Sequence, residues 1–188
     1  MTHHDEVKVK VAMPEVLGLF VVAYIAAMVG FVMLDFGAGP GSMGMIAGFL
    51  PYAALLFAIV TAACYFNENM FGTALFGVLA LFFYGFVPVY GAIAVTSPQD
   101  FALYVLFGAI FLIVMGIVSL AQPVKMVTGV VLLAGLTFLA LGAGVWMETT
   151  SLEWIVGILG LLTAILSFYL PVAIMFNTMK NENVLPIK

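Results

Sequence analysis

Apolar residues fill long stretches of this chain, and polar residues are confined to the breaks between them. Six stretches stand out, running from about Val16 to Leu34, Met43 to Phe66, Met70 to Val95, Phe101 to Ala121, Val124 to Trp146 and Trp154 to Phe176. As helices, each is long enough to cross the ~30 Å hydrocarbon core of a bilayer. The breaks are Asp35-Phe36-Gly37-Ala38-Gly39-Pro40-Gly41, Asn67-Glu68-Asn69, Thr96-Ser97-Pro98-Gln99-Asp100, Gln122-Pro123 and Met147-Glu148-Thr149-Thr150-Ser151. They carry the turn formers expected where backbone meets water. The pattern predicts an all-α integral membrane protein, with six transmembrane helices in a compact bundle joined by short loops. Residues 1–13 are expected to form an N-terminal tail, 14–176 the transmembrane domain and 177–188 a C-terminal tail, which leaves little for a soluble domain.

Composition agrees, because hydrophobic residues make up 65% of the chain, charged residues 7%, and mean hydropathy is +1.28. No water-soluble fold hides that much apolar surface, so the bilayer is the solvent. Lysine then gives the orientation, since cationic loops resist translocation while acidic ones matter little. Lys8 and Lys10 precede the first span, Lys125 lies between the fourth and fifth, and Lys180 and Lys188 follow the last. With six crossings all of them fall on one face, while Asp35, Asp100, Glu148 and Glu153 fall on the other. Both termini are therefore expected in the cytoplasm, in a multi-pass protein of the cell membrane. The first span is longer than a signal-peptide core and lacks a convincing Ala-x-Ala-type cleavage site after it, so it is expected to stay in the mature protein.

The same inventory excludes several classes of chemistry. A pI near 4.9 argues against nucleic acid as a partner. The single cysteine, Cys64 within the second span, excludes an intramolecular disulfide and reads as a small buried apolar residue. His3 and His4 lack the further ligands a metal site needs. No nucleophile–base pair, paired membrane carboxylates or phosphate loop is present, so neither catalysis nor a cofactor is expected; Gly37-x-Gly39-x-Gly41 is a turn-rich connection. No span carries an ionisable Asp, Glu, Lys, Arg or His in its central part, which argues against a self-contained proton pump. Glu15, after Pro14 at the start of the first span, reads as a carboxylate stabilising a helix N-terminus, with substrate gating as the alternative.

The polar groups at membrane depth are hydroxyls and phenols: Thr61, Thr73, Ser119, Thr128, Thr137, Thr163, Ser167 and several tyrosines. Such groups bond to their own helix, bridge helices or line a wet passage. Tyr90, Trp146 and Trp154 lie near outer ends and read as interfacial anchors. Tyr24, Tyr84 and Tyr169 lie deeper and are the pore candidates, because a buried phenol needs a partner. Gly44 with Gly48, Ala23 with Ala27, Ala26 with Gly30, and Gly157 with Gly160 and Ala164 have the spacing that lets helix backbones approach. Pro51, Pro88 and Pro171 sit inside spans and free a carbonyl each.

Several local motifs resemble the succinate-acetate permease family, the acetate uptake transporters. Its Asn-Pro-Ala-Pro-Leu-Gly-Leu signature is partly kept as Met13-Pro14-Glu15-Val16-Leu17-Gly18-Leu19. Its Asn-x-Phe-Gly entry to the third helix matches Asn69-Met70-Phe71-Gly72, followed by Thr73 and Ala74. The last helix and tail match through Gly157, Gly160, Leu161, Tyr169, Leu170, Asn177 and Val184-Leu185-Pro186-Ile187. The resemblance implies six helices, a pore through each protomer, a homohexamer, and passage of acetate or similar short monocarboxylates. Family members narrow the pore with a Phe, a Tyr and a Leu, positions that align with Val22, Leu79 and Ala134 here. All three differ, so the polar gate becomes an apolar one.

Three functions follow. The first is a channel-like permease for acetate or a similar small acid, favouring the uncharged species because a carboxylate is costly to desolvate. A channel for small neutral solutes such as urea or short amides is the second, resembling the hexameric urea-channel family, which shares the Leu17-Gly18-Leu19 start. The third is a non-transporting membrane subunit that uses the permease fold for assembly.

Overall fold

A computed structural model describes residues 13–36, 42–92 and 97–187. Its helices are α1 (Pro14–Met33), α2 (Ser42–Phe66), α3 (Met70–Ala92), α4 (Pro98–Val118), α5 (Met126–Trp146) and α6 (Glu153–Lys180). Short 3-10 turns, Ser119–Ala121 and Thr150–Leu152, follow α4 and precede α6. All six helices are long and apolar enough to cross a membrane. Their ends fall within a few residues of the apolar stretches, except that α6 runs on past Phe176 to Lys180. Residues 177–180, read from sequence as tail, are thus its last turn. The loop at 37–41, the lysines Lys8, Lys10 and Lys188, and His3 and His4 lie outside the described residues.

Small residues set which helices pair. The closest partnerships are α1 with α6, α2 with α3 and α4 with α5. Along α1 and α6 the backbones nearly touch: a Cβ on Gly160 would stand 3.2 Å from both the Gly30 Cα and the Ala26 carbonyl. One on Gly157 would stand 2.5 Å from the Leu34 side chain. Side-chain absence is therefore what lets these helices meet. Gly44 and Gly48 behave otherwise, because a Cβ on either meets nothing within 4 Å. That pair does not serve packing inside the protomer. The hydroxyls are mostly satisfied locally: Thr61, Thr137 and Thr163 donate to the carbonyls four residues earlier, at 2.7, 2.8 and 2.8 Å. Ser119 bridges helices, its Oγ lying 2.8 Å from Thr128 Oγ1 at the α4–α5 connection.

Four helices end on a non-glycine residue in the left-handed region: Asp35, Glu68, Glu148 and Asn181, with φ of 57°, 58°, 52° and 53°. In each case the next amide closes back on the carbonyl five residues before it, as in Asn69 N to Cys64 O at 2.9 Å and Glu182 N to Asn177 O at 3.2 Å. This closure satisfies carbonyls that would otherwise be orphaned at the helix end. It also reverses the chain sharply. The reversal at Glu68 delivers Asn69 to the start of α3, and the one at Asn181 turns the tail back under the bundle.

The alternation of helices divides the polar ends into two groups. At one end the start of α1, the starts of α3 and α5, and the tail converge, with Ile187 packed into a cluster of Leu19, Val130 and Leu170. At the opposite end the α3–α4 and α5–α6 connections are tied by Gln99 Nε2 donating to Glu148 Oε1 at 2.7 Å.

Candidate functional site

A cavity of about 680 Å³ lies between α1, α3 and α5. Its lining repeats every three or four residues, as one face of a helix does. On α1 the face is Glu15, Leu19, Val22, Ala26 and Val29; on α3 it is Leu75, Leu79, Phe83 and Phe86; on α5 it is Val127, Val131, Ala134, Phe138 and Leu141. On α1 and α5 the deepest of these sit about 21 Å from the first at ~1.5 Å per residue, so the cavity follows most of the bundle's depth.

The mouth is polar, and each group is positioned by backbone chemistry. Asn69 caps α3, its Oδ1 accepting from Gly72 N at 2.9 Å and its carbonyl accepting from Thr73 N at 3.0 Å. With the amide oxygen committed, Nδ2 is free to donate across the gap to Glu15 Oε1, which ties the first turn of α1 to that of α3. Gly72 is required there, because a Cβ would come 2.7 Å from Cys64 Sγ and 3.1 Å from Asn69 Nδ2. Gly18, one turn into α1, is required too, because a Cβ would stand 2.4 Å from the Phe76 ring. On the far side of the mouth Asn177, 7% exposed, holds the tail. Its Oδ1 accepts from Val184 N at 3.0 Å and Leu185 N at 2.9 Å, and its Nδ2 donates to the Leu185 carbonyl at 2.8 Å. Tyr169 Oη donates to the Pro186 carbonyl at 3.0 Å. Together these bonds strap the tail across the opening and place Ile187 on the cavity wall.

Deeper in, the wall is apolar. Val22, Leu79 and Ala134, the aligned constriction positions, all face the cavity, as do Phe76 and Phe83. Thr137 and Thr163 contribute the only hydroxyls at this depth among the described lining residues, and both are spent on their own helices. Past this waist the lining gives way to packed rings. Phe82 stacks on Tyr104 at 4.7 Å and meets Phe138 at 5.3 Å, while Phe86 meets Phe101 at 5.4 Å and Tyr90 at 6.0 Å. The Tyr104 hydroxyl donates to the Phe82 carbonyl and pins α4 to α3. This aromatic cluster lies toward the end of the cavity opposite the mouth, where Phe83, Phe86 and Phe138 line its wall.

Of the residues singled out from sequence, the structure brings Val22, Leu79, Ala134, Asn69, Phe71, Gly72 and Asn177 to the cavity. Pro14 is buried at the first turn of α1, Gly18 packs on Phe76, and Leu17 points outward. The three tyrosines read as pore candidates, Tyr24, Tyr84 and Tyr169, are not among the residues that line this cavity. At about 100° per residue, Tyr24 lies roughly 200° around α1 from Val22 and Tyr84 about 140° around α3 from Leu79. Both are on the outer surface, 56% and 69% exposed. Tyr169 holds the tail instead. The aromatic cluster and the Asn177 strap were not foreseen: ring-rich segments at Phe82-Phe83 and Phe101 are visible in the sequence, but nothing local says that they meet.

No family model and no curated protein matches the sequence. A solved structure does: the bacterial acetate channel SatP superposes with a TM-score of 0.84 at 20% identity, over 95% of this chain and 100% of that one. The chain therefore has the six-helix fold of a bacterial acetate channel, the fold that the motif resemblance to the succinate-acetate permeases implied.

Proposed function

We propose that this protein is a channel-like permease for acetate or similar short monocarboxylic acids, which cross in the uncharged form. The observation that carries this reading is the cavity along α1, α3 and α5, whose waist at Val22, Leu79 and Ala134 offers no free hydrogen-bonding side chain. A carboxylate shedding water there faces several kcal/mol uncompensated, whereas the undissociated acid faces far less. The fold shared with an acetate channel supports the same solute class. The working unit is a homohexamer in the cell membrane with one passage per subunit and both termini cytoplasmic, an arrangement supported by lysine segregation and by the family resemblance.

A second reading, a channel for small neutral amides such as urea, is favoured by one feature: Asn69, Gln122, Asn177, Asn181 and Asn183 surround the mouth, and amide side chains pair well with amide solutes. Uptake of radiolabelled acetate and urea into proteoliposomes across a range of external pH separates the two. Acetate flux that rises with the fraction of undissociated acid is the expected result. Urea flux alone favours the second reading, and absence of both, with a stoichiometric co-purifying partner, favours an assembly subunit. Cysteine labelling at position 100 in a Cys64→Ala background tests orientation, and labelling only from the cytoplasmic side would reverse it.

A further inference from the structure

The cavity's charge is one-sided. Among its described lining residues the ionisable side chains are Glu15 and Glu182, both acidic, and no lysine reaches the wall. Lys125, at the same end of the bundle, turns back on its own loop and donates from Nζ to the Leu120 carbonyl at 2.6 Å. Glu15 is the better placed of the two carboxylates. It is half-buried in the first turn of α1, and Asn69 holds it through Oε1. Asn69 is itself locked by its cap on Gly72 N, so the carboxylate cannot swing away without breaking the α1–α3 junction. No cation neutralises Glu15 among the described residues, and its other oxygen has no protein partner there. A fixed negative charge that no cation among the described residues offsets, at the entrance to a low-dielectric cavity, projects its field along the opening.

From this juxtaposition we propose that Glu15 is a specificity-determining residue: it rejects carboxylate anions at the mouth and admits neutral solutes that carry an N–H or O–H donor, which its free oxygen accepts. The substrate class is then undissociated short acids and short primary amides, selected before the apolar waist is reached. Anions are excluded twice, by charge at the mouth and by desolvation at Val22, Leu79 and Ala134. Asn69 is the positioning residue that keeps the charge aimed at the opening.

This rests on the cavity being the solute path, and the experiment separates the two claims. Purified full-length protein in liposomes is assayed for radiolabelled acetate at alkaline external pH, where the acid is almost wholly ionised, and for radiolabelled acetamide. Glu15→Gln keeps the size of the side chain and an acceptor for Asn69 while removing the charge. The acetate-to-acetamide flux ratio should rise about tenfold, the low end of what charge focusing does to encounter rates. In wild type, but not in Glu15→Gln, added salt should raise the same ratio. Glu15→Asp should keep the wild-type ratio. Should the Glu15→Gln junction fail to fold, Glu182→Lys places a cation at the same mouth from the exposed tail, and the ratio should again rise. An unchanged ratio in Glu15→Gln or, in its place, Glu182→Lys overturns the assignment while leaving the solute path intact. Wild-type flux of both solutes no faster than through protein-free liposomes overturns the path, and the assignment with it.

Discussion

The mouth and the waist of the cavity lie only about 10–15 Å apart along α1 and α3, yet they are built on opposite rules. At the mouth every positioning side chain spends its polar atoms on another part of the chain: Asn69 on Gly72 and Glu15, Asn177 on Val184 and Leu185. At the waist the polar atoms of Thr137 and Thr163 are spent inside their own helices, and the rest of the wall has none to offer. Polar bonds across elements fix the shape of the opening, while apolar packing fixes the wall behind it. Under the proposed function, the difference assigns recognition by hydrogen bond or charge to the mouth, and discrimination by size and by the cost of desolvation to the waist.

The largest effect expected is at the mouth. Asn177→Leu removes three hydrogen bonds that hold the tail, each worth about 1 kcal/mol. Amide exchange at Val184 and Leu185 should accelerate by roughly a hundredfold, the ratio that about 3 kcal/mol gives. Unchanged protection would mean that the apolar contacts of Ile187 hold the strap and the amide does not.

The glycine that seats α1 against α3 comes next. A Cβ at Gly18 falls within the Phe76 ring, so Gly18→Ala should lower stability by about 1–3 kcal/mol, as overpacking does. Gly48→Ala, where a Cβ meets nothing within 4 Å, serves as the control and should leave thermal stability of the protomer unchanged or slightly raised. Equal loss in both variants would break the distinction between a junction and an open face.

A smaller effect is expected from giving the waist a hydrogen bond. Leu79→Tyr narrows the passage and adds a phenol, worth about 1 kcal/mol to a bound polar solute, and should shift preference toward acetate by roughly fivefold over a neutral solute of similar size. Loss of all flux would show that width, and not polarity, limits the waist. The smallest effect is Thr137→Val. Its hydroxyl already serves the Leu133 carbonyl, so flux and stability should change by less than about 0.5 kcal/mol, and a large fall in flux would show that the hydroxyl leaves its helix to meet solute.

Much of the framework was legible in the sequence. The apolar stretches gave the helix count and most of their limits, because the length of a span is imposed by bilayer thickness. Small-residue spacing marked Ala26, Gly30, Gly157 and Gly160 without saying that they meet at the α1–α6 seam, and it marked equally Gly44 and Gly48, where a Cβ meets nothing within 4 Å inside the protomer. Local motifs marked Asn69, Gly72 and Asn177 without saying what they hold. The tyrosines lie off this cavity for a physical reason. A phenol needs an internal partner only when it is buried, and Tyr24 and Tyr84 are turned to the outer surface of the protomer.

By itself, then, the sequence determined that the chain lives in a bilayer as six short-looped helices, because hydrocarbon enforces both span length and the exclusion of charge from the spans. Only the tertiary structure decided which face of each helix lines a cavity. Those faces are apolar whether they meet lipid, a neighbour or a passage, so no periodicity distinguishes them. The structure also decided that Glu15 meets Asn69 across 54 residues of sequence, and that the tail returns to Asn177. These are contacts between polar groups that the chain's reversals bring together, and no local pattern encodes them.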